Sequence, residues 1–204
     1  MPQLLNRVTG EYELAEVISP IAPQDLSDFQ SHWLPPIMGR IEELKRAGTF
    51  TREALGEHNL EDFHWEWPRK CQERTSLEWN SFAVRCGGRT QGLMFVNMLR
   101  RCKAETHANQ HMVYIDLVST APWNRPRLSG APLYRGVGLV LVTEAVVLSK
   151  EEGFGGRIGL HGLPGAVRFY ESECGMQNLG PDSAYGDLPY FEMTSAQAET
   201  FLST

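Results

Sequence analysis

The sequence predicts a mixed α/β protein with a central sheet of six to seven strands flanked by helices. Three observations lead there. Two apolar runs, Leu77 to Cys86 and Gly92 to Leu99, are separated by Gly87-Gly88-Arg89. That is a hairpin signal, because glycine supplies the positive φ that tight turns need. An apolar stretch from Val137 to Leu148, broken by Thr143 and Glu144, is too short to cross a bilayer and reads as a buried helix. Short strand patterns lie on both sides of that helix, which gives the alternation of a layered α/β fold.

Each element follows from local pattern. Tyr12 to Ser19 alternates as a first strand and stops at Pro20 and Pro23. Asp25 is placed to cap a helix. Leu26, Phe29, Trp33, Ile37, Ile41 and Leu44 then recur at helical spacing, with Pro35-Pro36 predicting a kink or two short helices. Gly48 closes that segment, and Thr51 opens another short helix. After the glycine hairpin, a loop over 104–110 leads to a strand from Met112 to Thr120. A proline-rich loop comes next, then the apolar helix over about 138–149, ended by Gly153, Gly155 and Gly156. Arg157 to His161 is a short strand. Pro164 suits the first turn of a helix reaching Glu173, closed by Gly175. Leu188 to Met193 is the last strand.

Composition narrows the function classes. The chain has 204 residues, 42% apolar and 22% charged, so one domain with a substantial core is expected and disorder is not. Its formal net charge of -6 argues against general nucleic-acid binding, which draws on a positive field. No membrane partner is expected. Residues 1–10 carry no cationic flank leading into an apolar stretch, and Cys71, Cys86, Cys102 and Cys174 form no close pair. Both observations predict a cytoplasmic protein with reduced thiols.

The densest chemical signal lies between Val118 and Gly175. Tyr134-Arg135-Gly136-Val137-Gly138 joins a loop to the apolar helix. Backbone N–H groups in such a turn, backed by a helix N-terminus, can cradle a phosphate. A dinucleotide fingerprint would need a third glycine, and a Walker loop would need Gly-Lys-Ser/Thr; neither is present.

The wider arrangement resembles the GCN5-related N-acetyltransferase superfamily over roughly residues 11–194, most sharply over 112–176. The family's pyrophosphate turn matches at Gly136 and Gly138, with Leu133 where arginine or glutamine is usual. Thr120-Ala121-Pro122 resembles the end of its splayed central strand. Ala166, Phe169, Tyr170, Gly175 and Met176 match its closing motif, with Leu163 in place of asparagine and one extra residue before Gly175. The resemblance implies splayed central strands and a single acetyltransferase-like domain over 1–204. Residues 1–76 would carry the first strand and substrate-side helices, and 77–204 the sheet and coenzyme site. It implies acetyl-coenzyme A as donor, a primary amine on a small molecule or peptide as acceptor, and direct attack in a ternary complex. Val118, Ser119 and Thr120 would meet the pantetheine arm, with Leu117 a further backbone candidate. Tyr134, Arg135, Gly136, Val137 and Gly138 would hold the pyrophosphate. Tyr170 would protonate the departing thiolate and also border the coenzyme.

A general base must lie within hydrogen-bond reach of the amine or one water away. Asp116, in register with Val118 and Thr120, and His161, at the end of the next strand, are the candidates. The departures at Leu133 and Leu163 keep a second reading alive, a non-catalytic acyl-coenzyme A-binding or interaction module. A homodimer is left open. No metal is expected, because neither His107 with His111 nor His58, His64 and Cys71 has ligand spacing. The acidic, aromatic segment over 57–67 offers a cation-attracting rim or a set of packing anchors. Arg125 and Arg127 are a basic pair that reads as solvated surface or, lying near the proposed coenzyme turn, as a contact for the 3′-phosphate end.

Overall fold

The structure, a computed structural model, describes residues 1–203. In chain order its elements are β1 (Gln3–Asn6), β2 (Tyr12–Leu14), β3 (Glu16–Ile18), α1 (Pro23–Asp28), α2 (Leu34–Arg46), α3 (Arg52–Glu57), α4 (Trp67–Glu73), β4 (Trp79–Cys86) and β5 (Arg89–Asn97). There follow β6 (Val113–Thr120), α5 (Pro126–Ser129), β7 (Tyr134–Arg135), α6 (Val137–Glu151), β8 (Ile158–His161), β9 (Gln177–Asp182), β10 (Leu188–Met193) and α7 (Ser195–Leu202). Seven strands form one mixed sheet in the order β3-β4-β5-β6-β8-β10-β9, and β2-β1-β7 form a smaller sheet. Among the described residues, no helix is long and apolar enough to cross a membrane. The chain packs as two compact units that alternate along the sequence.

The first unit comprises Met1–Thr75, Ser81–Leu93 and Ser119–Gly138. The single strand expected over 12–19 is two strands in different sheets. The chain changes sheets at buried Ala15, whose N–H donates to the Pro2 carbonyl: β2 pairs with β1, and β3 pairs with β4. From Pro23 to Arg46 the chain is helical throughout, with one π-turn over Phe29–Trp33. In that turn the Leu34 N–H reaches back five residues to the Phe29 carbonyl. Pro35 and Pro36 lack the N–H groups an α-helix would use there, so the wide turn takes the place of the expected kink. Gly87 and Gly88, at φ +58° and +72°, make the tight β4–β5 turn. A Cβ on Gly87 would stand 2.6 Å from the Tyr134 hydroxyl.

A buried polar network ties α1 to this hairpin. Arg85 donates to both Asp25 oxygens at 2.7 and 2.9 Å. The Thr90 hydroxyl bonds Asp25 and Asp28, and the Thr90 N–H donates to Asp28. Burial pushes the Asp25 carboxyl up, but the bonds from Arg85, the Ala22 N–H and Thr90 outweigh it and hold the group below its ordinary range.

The second unit comprises Ser76–Asn80, Met94–Val118 and residues 139–203. Here β6 and β8 are parallel, while β10 is antiparallel to both β8 and β9. Val113, Ile115, Leu141, Val146, Ile158, Leu160 and Phe191 are buried. The predicted 164–173 helix is present as a 3₁₀ turn that runs into a π-turn over Phe169–Glu173, with Gly175 at φ +65° after it.

Candidate active site

In the second unit two parallel strands pair and then part, forming a fork. β6 and β8 pair at Val113 with Ile158, Tyr114 with Gly159 and Ile115 with Leu160. No β8 partner follows, although β6 continues to Thr120 and β8 ends at His161. Over this stretch burial alternates, with Leu117 and Ser119 buried and Asp116, Val118 and Thr120 half-buried. Asp116 therefore shares one face with Tyr114, Val118 and Thr120.

His161 closes the short arm of the fork inside a polar relay. Its Nε2 lies 3.0 Å from Asp182 and its Nδ1 2.6 Å from the Tyr114 hydroxyl. A carboxylate can only accept, so Nε2 carries the proton and Nδ1 accepts from Tyr114. The Tyr185 ring stacks on the imidazole at 3.8 Å. Burial lowers the His161 pKa against the opposing pull of Asp182, which keeps the ring neutral near pH 7. Lys103 and His161 hold the Asp182 carboxyl well below the ordinary range. Burial, Tyr185 and Asp116 push the Tyr114 hydroxyl up. A proton reaching His161 at Nδ1 must arrive through Tyr114.

Tyr170 sits in the π-turn, buried, with its ring 5.5 Å from that of Phe191. Burial raises its pKa, so the hydroxyl stays protonated and is a donor. Gly162 makes room here: a Cβ would stand 2.7 Å from Phe191 and 3.3 Å from the Tyr170 ring.

The first unit holds the glycine turn. Gly136 has φ +102°, and α6 starts at Val137. The residues before it pair with the N-terminal strand, Arg135 opposite Leu5 and Tyr134 opposite Asn6. The Tyr134 hydroxyl donates to Glu13 at 2.7 Å, and its N–H donates to Asn124. Tyr134 therefore has its side chain and its N–H engaged within the protein.

Two expectations meet a correction. Arg125 is buried and donates to Asp62 at both oxygens, to the Asn59 and Thr120 carbonyls, and to the Ser119 hydroxyl. Every guanidinium donor is occupied, so it has none for a coenzyme phosphate. Arg127 donates to the Gly56 carbonyl. The same cluster binds Asp62, removing it from any cation-attracting rim. In its place the first unit has a cleft of about 660 Å³, lined by Arg40, Glu43, His58, Trp123 and Arg127 among others.

Sequence patterns missed Tyr114 and Asp182 as partners of His161, and Lys103 as the partner of Asp182. Their convergence depends on the β6-β8-β10-β9 strand order, and no local spacing encodes it.

No family model and no curated protein matches the sequence. Solved structures do match in fold. PaiA N-acetyltransferase from Thermoplasma acidophilum, in complex with coenzyme A, is 13% identical at TM-score 0.53, covering 89% of this chain and 99% of that one. A bacterial toxin is 12% identical at TM-score 0.55, covering 94% and 96%. A KacTA–DNA complex is 14% identical at TM-score 0.53, covering 93% and 99%. The chain has the fold of the GCN5-related N-acetyltransferases. The third of these structures is a DNA complex, so the fold gives no support to excluding nucleic acid.

Proposed function

We propose that the protein transfers an acetyl group from acetyl-coenzyme A to a primary amine by direct attack. The observation that carries this reading is the fork: β6 runs five residues beyond its last pair with β8, leaving backbone groups for an extended ligand. Val118, Ser119 and Thr120 receive the pantetheine arm in this reading. The pyrophosphate is assigned to Arg135, Gly136, Val137 and Gly138, where Gly136 has a positive φ and a 15-residue helix begins. Tyr134 frames that turn, since its own polar groups are engaged.

Attack requires a neutral amine and a stabilised oxyanion. Asp116 is assigned as the base, directly or through one water, because it lies past the last strand pair on the exposed-alternating face. His161 stands behind it as a relay reached through Tyr114. The amine's proton passes to the carboxylate as the C–N bond forms, and the C–S bond breaks as Tyr170 delivers its proton to the thiolate. The non-catalytic coenzyme-binding module is the second reading, favoured by Leu133 and Leu163.

Release of free thiol from acetyl-coenzyme A across a panel of amine acceptors tests the proposal. Acceptor-dependent release that falls in Asp116→Asn supports it. Coenzyme binding with no release for any amine class would favour the second reading. A melting temperature raised by neither coenzyme A nor acetyl-coenzyme A would remove both.

A further inference from the structure

In the second unit, Cys102, His107 and Glu192 are all buried, and their Sγ, imidazole and carboxylate atoms lie within 4.8 Å of one another. They come from the segment between β5 and β6 and from β10. We propose that these three side chains form a zinc site that clips the 102–107 segment to β10.

The polar bonding around the group leaves a place for a cation. Glu192 is 1% exposed, and its carboxylate accepts the Lys103 and Ala104 N–H groups and the Tyr190 hydroxyl. Those partners are all neutral donors. The remaining acceptor direction, on Oε2, faces His107 Nε2 at 3.5 Å. His107 is 8% exposed, and that Nε2 is buried with no hydrogen-bond partner. Its other nitrogen, Nδ1, lies 2.7 Å from the Thr106 hydroxyl.

Neither tautomer of His107 satisfies the ring without an ion. If Nδ1 donates to Thr106, the Nε2 lone pair faces a carboxylate oxygen. If Nδ1 accepts, an N–H at Nε2 stands 3.5 Å from Oε2 without forming a hydrogen bond. A zinc ion satisfies both atoms. Nitrogen and oxygen ligands at ~2.0–2.2 Å in tetrahedral geometry stand roughly 3.3–3.5 Å apart, which is the Nε2–Oε2 separation here. The Thr106 hydroxyl then takes the second-shell position, fixing the Nε2 tautomer.

The charges balance as well. One thiolate and one carboxylate neutralise Zn²⁺, with a neutral imidazole as third ligand. Binding forms the Zn–S bond, and the thiol proton leaves to solvent. Water fills the fourth position. Lys103, Ala104, Thr106 and Tyr190, which neighbour the three ligands, line a cleft of about 610 Å³.

The test uses the full chain, stripped with chelator and titrated with Zn²⁺ by calorimetry and with Co²⁺ by absorption. One equivalent should bind, with a thiolate-to-cobalt charge-transfer band and tetrahedral d–d absorption. Zn²⁺ should raise the melting temperature. Cys102→Ser should abolish the charge-transfer band, and His107→Gln should weaken affinity at least tenfold, as loss of a direct ligand requires. Cys71→Ser should change neither. No saturable binding to the wild-type chain overturns the proposal. So does a band that survives Cys102→Ser, since the thiolate would then come from elsewhere. If either ligand variant is unfolded without metal, the wild-type band still decides: its absence at saturating Co²⁺ rejects a thiolate site.

Discussion

Replacing Arg125 with alanine removes five hydrogen bonds at once: two to Asp62, one each to the carbonyls of Asn59 and Thr120, and one to the Ser119 hydroxyl. The Asp62 carboxylate would remain, still accepting from the Ser119 hydroxyl but with its cationic partner gone. Both side chains are close to fully buried, at 7% and 10% exposure, so solvent cannot replace the lost partner. Breaking such a pair from one side costs about 3–5 kcal/mol. For a chain of this size that is a melting-temperature fall of roughly 6–20 °C. Arg125→Lys keeps the charge but has three donors in place of five, in a different geometry. It should lose about 2 kcal/mol or more, as expected for even one charged hydrogen bond. Urea unfolding measures both, with the slope checked so that a shifted midpoint reports stability. Coenzyme A affinity of Arg125→Lys, measured well below its melting temperature, should match wild type. Unfolding of Arg125→Ala within about 0.5 kcal/mol of wild type, a size typical of surface changes, together with a collapse of coenzyme affinity, would refute this assignment. Arg125 would then be a phosphate ligand, and its internal bonds would be dispensable.

Tyr170→Phe keeps the buried ring and removes the donor; turnover should fall by up to ~10²–10⁴-fold with coenzyme affinity little changed, as read by steady-state kinetics and calorimetry. Gly136→Asp places a side chain at φ +102°, which costs about 1–3 kcal/mol, and adds a negative charge at the proposed pyrophosphate turn. It should melt earlier and lose coenzyme binding, whereas Gly136→Ala should melt earlier with a smaller binding loss; equal calorimetric affinity in all three proteins would remove the turn from the coenzyme site. Because the Asp25 carboxyl is held below its ordinary value in the folded state, its stabilisation is complete above the unfolded pKa of about 4 and is lost as pH falls through the folded value. Wild type should therefore lose urea resistance more steeply below pH ~4 than Asp25→Asn, and parallel slopes would show that Asp25 does not couple.

Legibility in the sequence followed the range of the interactions involved. The β4–β5 hairpin, β6, α6, β8 and β10 were readable because alternation, helical spacing and glycine punctuation are local signals. β1 and β7 were not, since strands of four and two residues are too short to carry a period and are defined by their pairing with other strands. β9 escaped because a glycine and a proline fall inside an edge strand. α7 did carry a signal, the Thr194–Gln197 capping box. Tyr170, Asp116 and His161 could be named from a motif and from alternation. The Asp182 partner of His161 could not, and neither could Glu192 beside Cys102 and His107, because sheet order brings them together. Arg125 shows the opposite failure: a basic residue near a phosphate turn is a reasonable coenzyme contact until its burial is known.

The pairing of β1 with both β2 and β7 has a consequence for synthesis on the ribosome. Tyr12 to Leu14 follow β1 within a few residues, so the β1–β2 hairpin can form almost as soon as it emerges. The other edge of β1 must wait for Tyr134 and Arg135, about 130 residues later. At ~5–20 residues per second that delay is of the order of ten seconds. Throughout it, the nascent chain displays an open strand edge with Leu4 beside it, a template for pairing with other chains. Closure of that edge fastens the residues next to Gly136, so the glycine turn reaches its final support only after the β1–β2 hairpin has waited for about 130 further residues to be made. Slowing elongation before residue 134 should lengthen that exposure, and pulse-chase solubility would register it as increased aggregation of the unfinished chain.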